Sequence, residues 1–236
     1  MRIVTFNIKH GRAGTGEVDV PLLARTCVGF SADLLALQEV DRFARRSGFS
    51  DQVAVVARAT GLSSAFGEAA RRRPFRRYGN ALFGRGKLDD VEVIGLPRPS
   101  AGEPRVAILA SFEPEGPKLD GQSPGVGAPI SVAATHLSFR KGEGPVQLDA
   151  LLEALGQRPL PRVLLGDLNL GPEAVESALA DAGYQIAPTA ATFPVDEPRS
   201  RIDFIAVAGL ELVGAEALPT PMSDHRPVVA EVAPKR

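Results

Sequence analysis

The sequence predicts an α/β domain. Helical and strand-like segments alternate from end to end, and several short apolar runs finish on polar side chains suited to chemistry. These runs are Arg2–Asn7, Asp33–Glu39, Ile130–His136 and Arg162–Asn169, and they deliver Asn7, Glu39, His136, Asp167 and Asn169. A further cluster, Ser223-Asp224-His225, stands just before the apolar run Pro227–Val232. Strands that finish on functional side chains can bring them to one rim of a sheet. The clusters extend from residue 7 to residue 225, so one site drawing on both ends implies one domain over 1–236. A chain of 236 residues is at the upper end for such a domain and can bury a sizeable core.

The elements follow in order. After the first run, Val20 to Phe30 reads as a helix entered through Asp19 and Pro21. Asp51 to Thr60 reads as a second helix, with Ser50 as N-cap and Gly61 past its end. Asn80–Phe83 and Val106–Phe112 are β-rich. Glu113 to Pro129 is rich in Gly and Pro and lies between two strand-like runs, which predicts a long hairpin loop. Pro145 to Leu155 places Leu148, Leu151, Leu152 and Leu155 at helical spacing, with Gly156 as the stop. Pro172 to Ala182 repeats the device and stops at Gly183, and Ile202–Val207 is a further strand.

Composition narrows the function. A formal net charge of −1 gives no global attraction to nucleic acid or acidic membranes. One cysteine, Cys27, excludes an internal disulfide and reads as a small buried hydrophobe. One Cys and three His cannot build a structural zinc site of the usual spacings. The chain opens on a strand-like run, and no stretch is long and apolar enough to span a bilayer. The expectation is a soluble cytoplasmic protein.

Asn7, Glu39 and Asp224 are oxygen donors of the kind Mg²⁺ prefers, since that ion keeps several waters and takes few protein ligands. Glu39 alone would read as a solvated carboxylate at a strand end. His136 and His225 suit acid–base work or contact with a phosphoryl oxygen. His10, in the loop Lys9-His10-Gly11, reads as solvated. Asp167 and Asn169 are two apart, so on an extended strand they project to the same side. The plainer reading of that pair is an Asx-turn. Asp203 opens a strand and can fix the tautomer of a neighbouring imidazole.

In combination these stretches resemble the endonuclease/exonuclease/phosphatase superfamily, the deoxyribonuclease-I-like phosphoesterases. The resemblance rests on Thr5-Phe6-Asn7, Leu37-Gln38-Glu39-Val40, Tyr78-Gly79-Asn80-Ala81, Glu103-Pro104-Arg105, Thr135-His136-Leu137, Gly166-Asp167-Leu168-Asn169, Arg201-Ile202-Asp203-Phe204 and Ser223-Asp224-His225-Arg226-Pro227. They stand in the family's order and cover essentially the whole chain; the Tyr-Gly-Asn-Ala and Glu-Pro-Arg stretches are similar to its small single-domain bacterial branch. The resemblance implies a four-layer α/β/β/α sandwich with two mostly antiparallel sheets. It implies Mg²⁺, or Mn²⁺ in its place, on Glu39 with Asn7 and Asp224 nearby. It makes His225, oriented by Asp203, the group that takes a proton from water or braces the phosphate. His136 and Asn169 become phosphate contacts, and Asp167 orients water or the leaving group. Asn80 and Arg105 are candidate substrate contacts, and Glu68 is the candidate for orienting His136. Ile8-Lys9 follow Asn7 where the abasic-site branch carries an acidic residue, which argues against that repair role.

The basic run Arg71-Arg72-Arg73-Pro74-Phe75-Arg76-Arg77 would either clamp a polyanion, through residues such as Arg72 and Arg76, or form a solvated loop. With no Trp and two Tyr, platforms for stacking single strands are sparse. The sequence-level expectation is a monomeric Mg²⁺-dependent phosphodiesterase or nuclease. Hydrolysis of a small phosphorylated metabolite or lipid headgroup is the alternative within enzymes. A catalytically silent binding module is the alternative outside them.

Overall fold

The computed structural model describes residues 1–71, 76–99, 102–115 and 129–235. Among these, twelve strands and four α-helices form two six-stranded mixed sheets packed face to face, with helices on both outer faces. The first sheet contains β1 (Arg2–Asn7), β2 (Leu34–Arg42), β3 (Ser63–Arg71), β4 (Arg77–Gly84), β11 (Leu210–Ala217) and β12 (Val228–Pro234), in the order β11-β12-β1-β2-β4-β3. The second contains β5 (Gly86–Gly95), β6 (Val106–Pro114), β7 (Ile130–His136), β8 (Arg162–Asp167), β9 (Gln185–Ile186) and β10 (Asp203–Ala208), in the order β5-β6-β7-β8-β10-β9. Each sheet is antiparallel apart from one central parallel pair, β1 with β2 and β7 with β8.

The period-two alternation of side chains builds the layers. On β1, Ile3 points between the sheets, where it joins Leu34, Ile108, Val132, Leu165 and Ile205. Its neighbour Val4 points outward and packs with Phe6, Leu35 and Phe83 beneath helices α1 (Val20–Gly29) and α2 (Gln52–Thr60). Outward residues of the second sheet, among them Leu164 and Phe204, are covered by α3 (Glu143–Gly156) and α4 (Pro172–Asp181). Central strands buried on both faces cannot alternate with polar residues, which is why they read as continuous apolar runs.

Local chemistry sets the helix ends, with two corrections to the sequence reading. The Asp19 carboxylate accepts from Leu22 N at 2.7 Å and caps α1. The cap of α2 is Asp51, which accepts from Ala54 N at 3.2 Å, and not Ser50, so the helix starts one residue later than predicted. The third helix begins at Glu143, two residues before Pro145, with Gly142 in the left-handed region as its N-cap. Four strands escaped the sequence reading: β3, β5, β9 and β11. All four are sheet edges, and β5 and β11 are half exposed and mix Gly, acidic and apolar residues. Strands β6 and β7 pair antiparallel, as a hairpin requires, and most of the predicted loop between them (116–128) lies outside the described residues.

Candidate active site

The two parallel pairs decide where the polar strand ends meet. Asn7 aligns with Gln38 across β1 and β2, and His136 aligns with Asp167 across β7 and β8. Strand β10 runs antiparallel to β8, so its first residue, Asp203, lies opposite Asp167. Strand β12 runs antiparallel to β1 with Val228 opposite Thr5, so the residues just before it, Asp224 and His225, lie at the Asn7 end. One rim of the sandwich thus collects side chains from both sheets.

Glu39 reaches this rim through a bulge. The register of β2 against β4 shifts between Leu37 and Val40, and Glu39 sits at φ 59°. Bulges re-aim side chains in this way. Lys9, His10, Asn169 and Ser223 also have positive φ without being glycine. Such conformations are costly and concentrate at functional sites.

Asp167 is the centre of the cluster. Its Oδ2 accepts from Asn7 Nδ2 at 2.9 Å, and lies 3.3 Å from His136 Nε2 and 3.8 Å from His225 Nε2. Its Oδ1 accepts from the backbone N–H of Asn169 at 3.0 Å, an Asx-turn. Burial and then the charge of Asp203 raise the Asp167 carboxyl well above the usual carboxylate range.

His225 Nδ1 lies 2.9 Å from Asp203 Oδ2, and the Thr192 hydroxyl donates to the same oxygen at 2.6 Å. The Phe193 ring packs 4.9 Å from the imidazole, centroid to centroid. Burial opposes a charge on His225, but Asp203 outweighs it and lifts the imidazole to about 9. His136 goes the other way. Burial and the adjacent Arg105 guanidinium depress it to about 3, so it is neutral.

Glu39 Oε1 accepts from Asn7 Nδ2 at 3.2 Å, so one amide nitrogen serves both Glu39 and Asp167. Burial would raise the Glu39 carboxyl, but nearby His10, His136 and Asn7 together hold it down at about 2. His10 Nδ1 is 3.3 Å from Glu39 Oε2, and its side chain is only 18 % exposed, which corrects the reading of His10 as solvated. The loop that follows Asn7 folds back onto the rim, with Gln52 Nε2 donating to His10 O at 2.6 Å. Asp224, the third residue of the expected set with Asn7 and Glu39, pairs with Lys9 Nζ.

The other candidates divide. Arg105 is buried and meets His136 Nδ1 at 3.0 Å, while Asn80 donates to Val106 O at 3.0 Å and ties the two sheets together. Asn169 donates one amide hydrogen to Leu137 O at 3.0 Å, leaving the second for another acceptor. Glu68, expected to orient His136, lies 3.4 Å from Arg77 Nε, while Asp167 Oδ2 stands 3.3 Å from His136 Nε2. Arg76 is half-buried, and Arg72 lies outside the described residues. Sequence reasoning missed Thr192, Phe193 and the role of His10. For His10 the signal was its position three residues past a strand-end Asn; Thr192 and Phe193 carry no local signal.

A family model described as the endonuclease/exonuclease/phosphatase family matches residues 4–225. The chain belongs to this family. Its members are generally phosphoester hydrolases, and the buried group Asp167, Asp203 and His225 lies at the rim described above. No curated protein matches the sequence. Among solved structures, the chain is similar to an endonuclease/exonuclease/phosphatase from Beutenbergia cavernae, with 22 % identity and TM-score 0.76 over 99 % of this chain and 71 % of that one. It is similar to a mannosyl-6-phosphatase from Bacteroides thetaiotaomicron, with 17 % identity and TM-score 0.74 over 99 % of both chains. It is also similar to the human Nocturnin catalytic domain, with 22 % identity and TM-score 0.72 over 100 % of this chain and 93 % of that one. At these identities the likeness establishes the endonuclease/exonuclease/phosphatase fold alone.

Proposed function

We propose that this protein is a divalent-metal-dependent phosphoesterase, acting on phosphodiesters such as a nucleic acid backbone. The observation that carries the reading is the convergence of Asn7, His136 and His225 on one oxygen of Asp167. A buried carboxylate with a raised proton affinity, among donors, is suited to take a proton from an attacking water. His225, protonated at neutral pH, is suited to brace a phosphoryl oxygen through Nε2–H, and the free amide hydrogen of Asn169 can join it.

The donor chemistry fits a hard divalent cation. Glu39 is an ionised carboxylate, and Asn7 carries an amide oxygen that accepts from Lys9 N at 3.0 Å while its amide nitrogen faces Glu39. Those two residues would hold the ion, with Asp224 entering only by releasing Lys9. Asp203 and His225 are already committed to each other, so they are poorer ligands. When bound, such an ion neutralises charge on the phosphoryl oxygens. A silent binding module is disfavoured because every side chain this chemistry needs is in place.

One observation favours a small polar phosphoester as the second reading. A cavity of about 460 Å³ opens beside Asp224 and is lined by Lys9, Arg12, Asp196 and Ser223, with no aromatic ring. The test is hydrolysis of a panel of phosphomonoesters, phosphodiesters, DNA and RNA with Mg²⁺, Mn²⁺ or EDTA. Cleavage that is undiminished in EDTA, or no cleavage of any phosphoester, would refute the proposal. Replacing Arg72 and Arg76 with Ala should flatten the salt dependence for long nucleic acid if that run holds a polyanion. An unchanged slope would favour the small substrate.

A further inference from the structure

The two rim histidines are held by opposite kinds of partner. Arg105 Nη1 lies 3.0 Å from His136 Nδ1, and both side chains are about 95 % buried. A guanidinium has only donors, so His136 Nδ1 must accept and carry no proton. The proton of the neutral ring then sits on Nε2. His225 Nδ1 instead faces the Asp203 carboxylate at 2.9 Å, which only accepts while ionised, so Nδ1 of His225 carries a proton.

Both rings aim Nε2 at Asp167 Oδ2, at 3.3 Å from His136 and 3.8 Å from His225. They arrive there differently prepared. His225 can gain or lose its Nε2 proton while Asp203 holds the ring. His136 can do neither: losing the proton would make an anion, and gaining one at Nδ1 would place a cation against a buried guanidinium. The carboxylate expected to demand the other tautomer, Glu68, pairs with Arg77, and Glu103 lies 3.7 Å from Arg105 Nη2.

We propose that Arg105 is a positioning residue that locks His136 in the neutral, Nε2-protonated form. His136 is then a fixed hydrogen-bond donor to a phosphoryl oxygen and takes no part in proton transfer. The donor's target rests on the phosphoesterase reading above; the tautomer does not.

The experiment separates the two. Nitrogen-15 NMR of histidine-labelled protein in EDTA, without substrate, reads the protonation of each ring nitrogen. Only three histidines are present, and His10→Gln and His225→Gln variants assign them. The wild type should show His136 protonated at Nε2 and bare at Nδ1. Arg105→Met keeps the bulk and removes the donors, so the lock should relax and the Nδ1-protonated form should appear; Arg105→Lys should restore the wild-type pattern. Thermal unfolding of each variant checks that the fold is intact. With Mg²⁺ and inorganic phosphate, the His136 Nε2 resonance should shift in the wild type and much less in Arg105→Met. A wild-type ring protonated at Nδ1, or an unchanged tautomer in a folded Arg105→Met, would overturn the proposal. The expected tautomer together with an inert substrate panel would overturn the phosphoesterase reading alone.

Discussion

The His225–Asp203 pair makes stability depend on pH in a window that can be isolated. The imidazole is raised in the folded chain from 6.5 to about 9, chiefly because Asp203 outweighs the cost of burial. The sign follows from linkage: a raised folded value contributes stability fully below 6.5, and that contribution is lost as pH rises through 9. With those two values the pair contributes about 2.5 kcal/mol at pH 7 and about 0.4 kcal/mol at pH 9, a loss of about 2 kcal/mol. Asp167, also raised, loses stability in the same direction, so the comparison belongs in an Asp167→Asn background. His136 and Glu39 are both depressed, to about 3 and about 2, and act only at lower pH. The assay is urea unfolding in EDTA at pH 7 and pH 9, with and without His225→Gln. Asp167 also helps to hold the His225 proton, so in that background the protein retaining His225 should lose up to about 2 kcal/mol over that interval and the variant much less. Equal losses in the two proteins would show that Asp203 does not hold a proton on His225.

Mg²⁺ should raise the unfolding temperature of the wild type and leave that of Glu39→Gln unmoved, because the variant loses the charged ligand; equal shifts by calorimetry would remove Glu39 from the metal site. Asp167→Asn and His225→Gln should each lower turnover on the order of 10²-fold or more, and the double variant should fall far short of the product of the two. Gly79→Ala should be severely destabilising, because a Cβ there would lie 1.9 Å from Gly67 O across the β3–β4 pairing. Gly95→Ala, which meets nothing within 4 Å, is the control, compared by denaturant melts. Leu165→Ala, fully buried between the sheets, should cost roughly 2–5 kcal/mol.

What the sequence determined is what short-range chemistry encodes. Doubly buried strands show as apolar runs such as Val163-Leu164-Leu165, and helix starts show as Asp19 before Pro21. Functional strand ends show as polar residues that an apolar run would not otherwise carry: Asn7, His136 and Asp167. Edge strands did not show, because β5 and β11 meet a partner on one side only and need no apolar pattern. The tertiary structure alone decided the pairings around those residues. Nothing local in Lys9-His10-Gly11 tells of Glu39, and nothing in Glu103-Pro104-Arg105 tells of His136, because each contact is made by a fold-wide register and not by neighbours in the chain. Those contacts set the charge and tautomer of each site group. A carboxylate or imidazole takes its proton affinity from the burial and charges around it, and residues brought together from distant parts of the chain supply both.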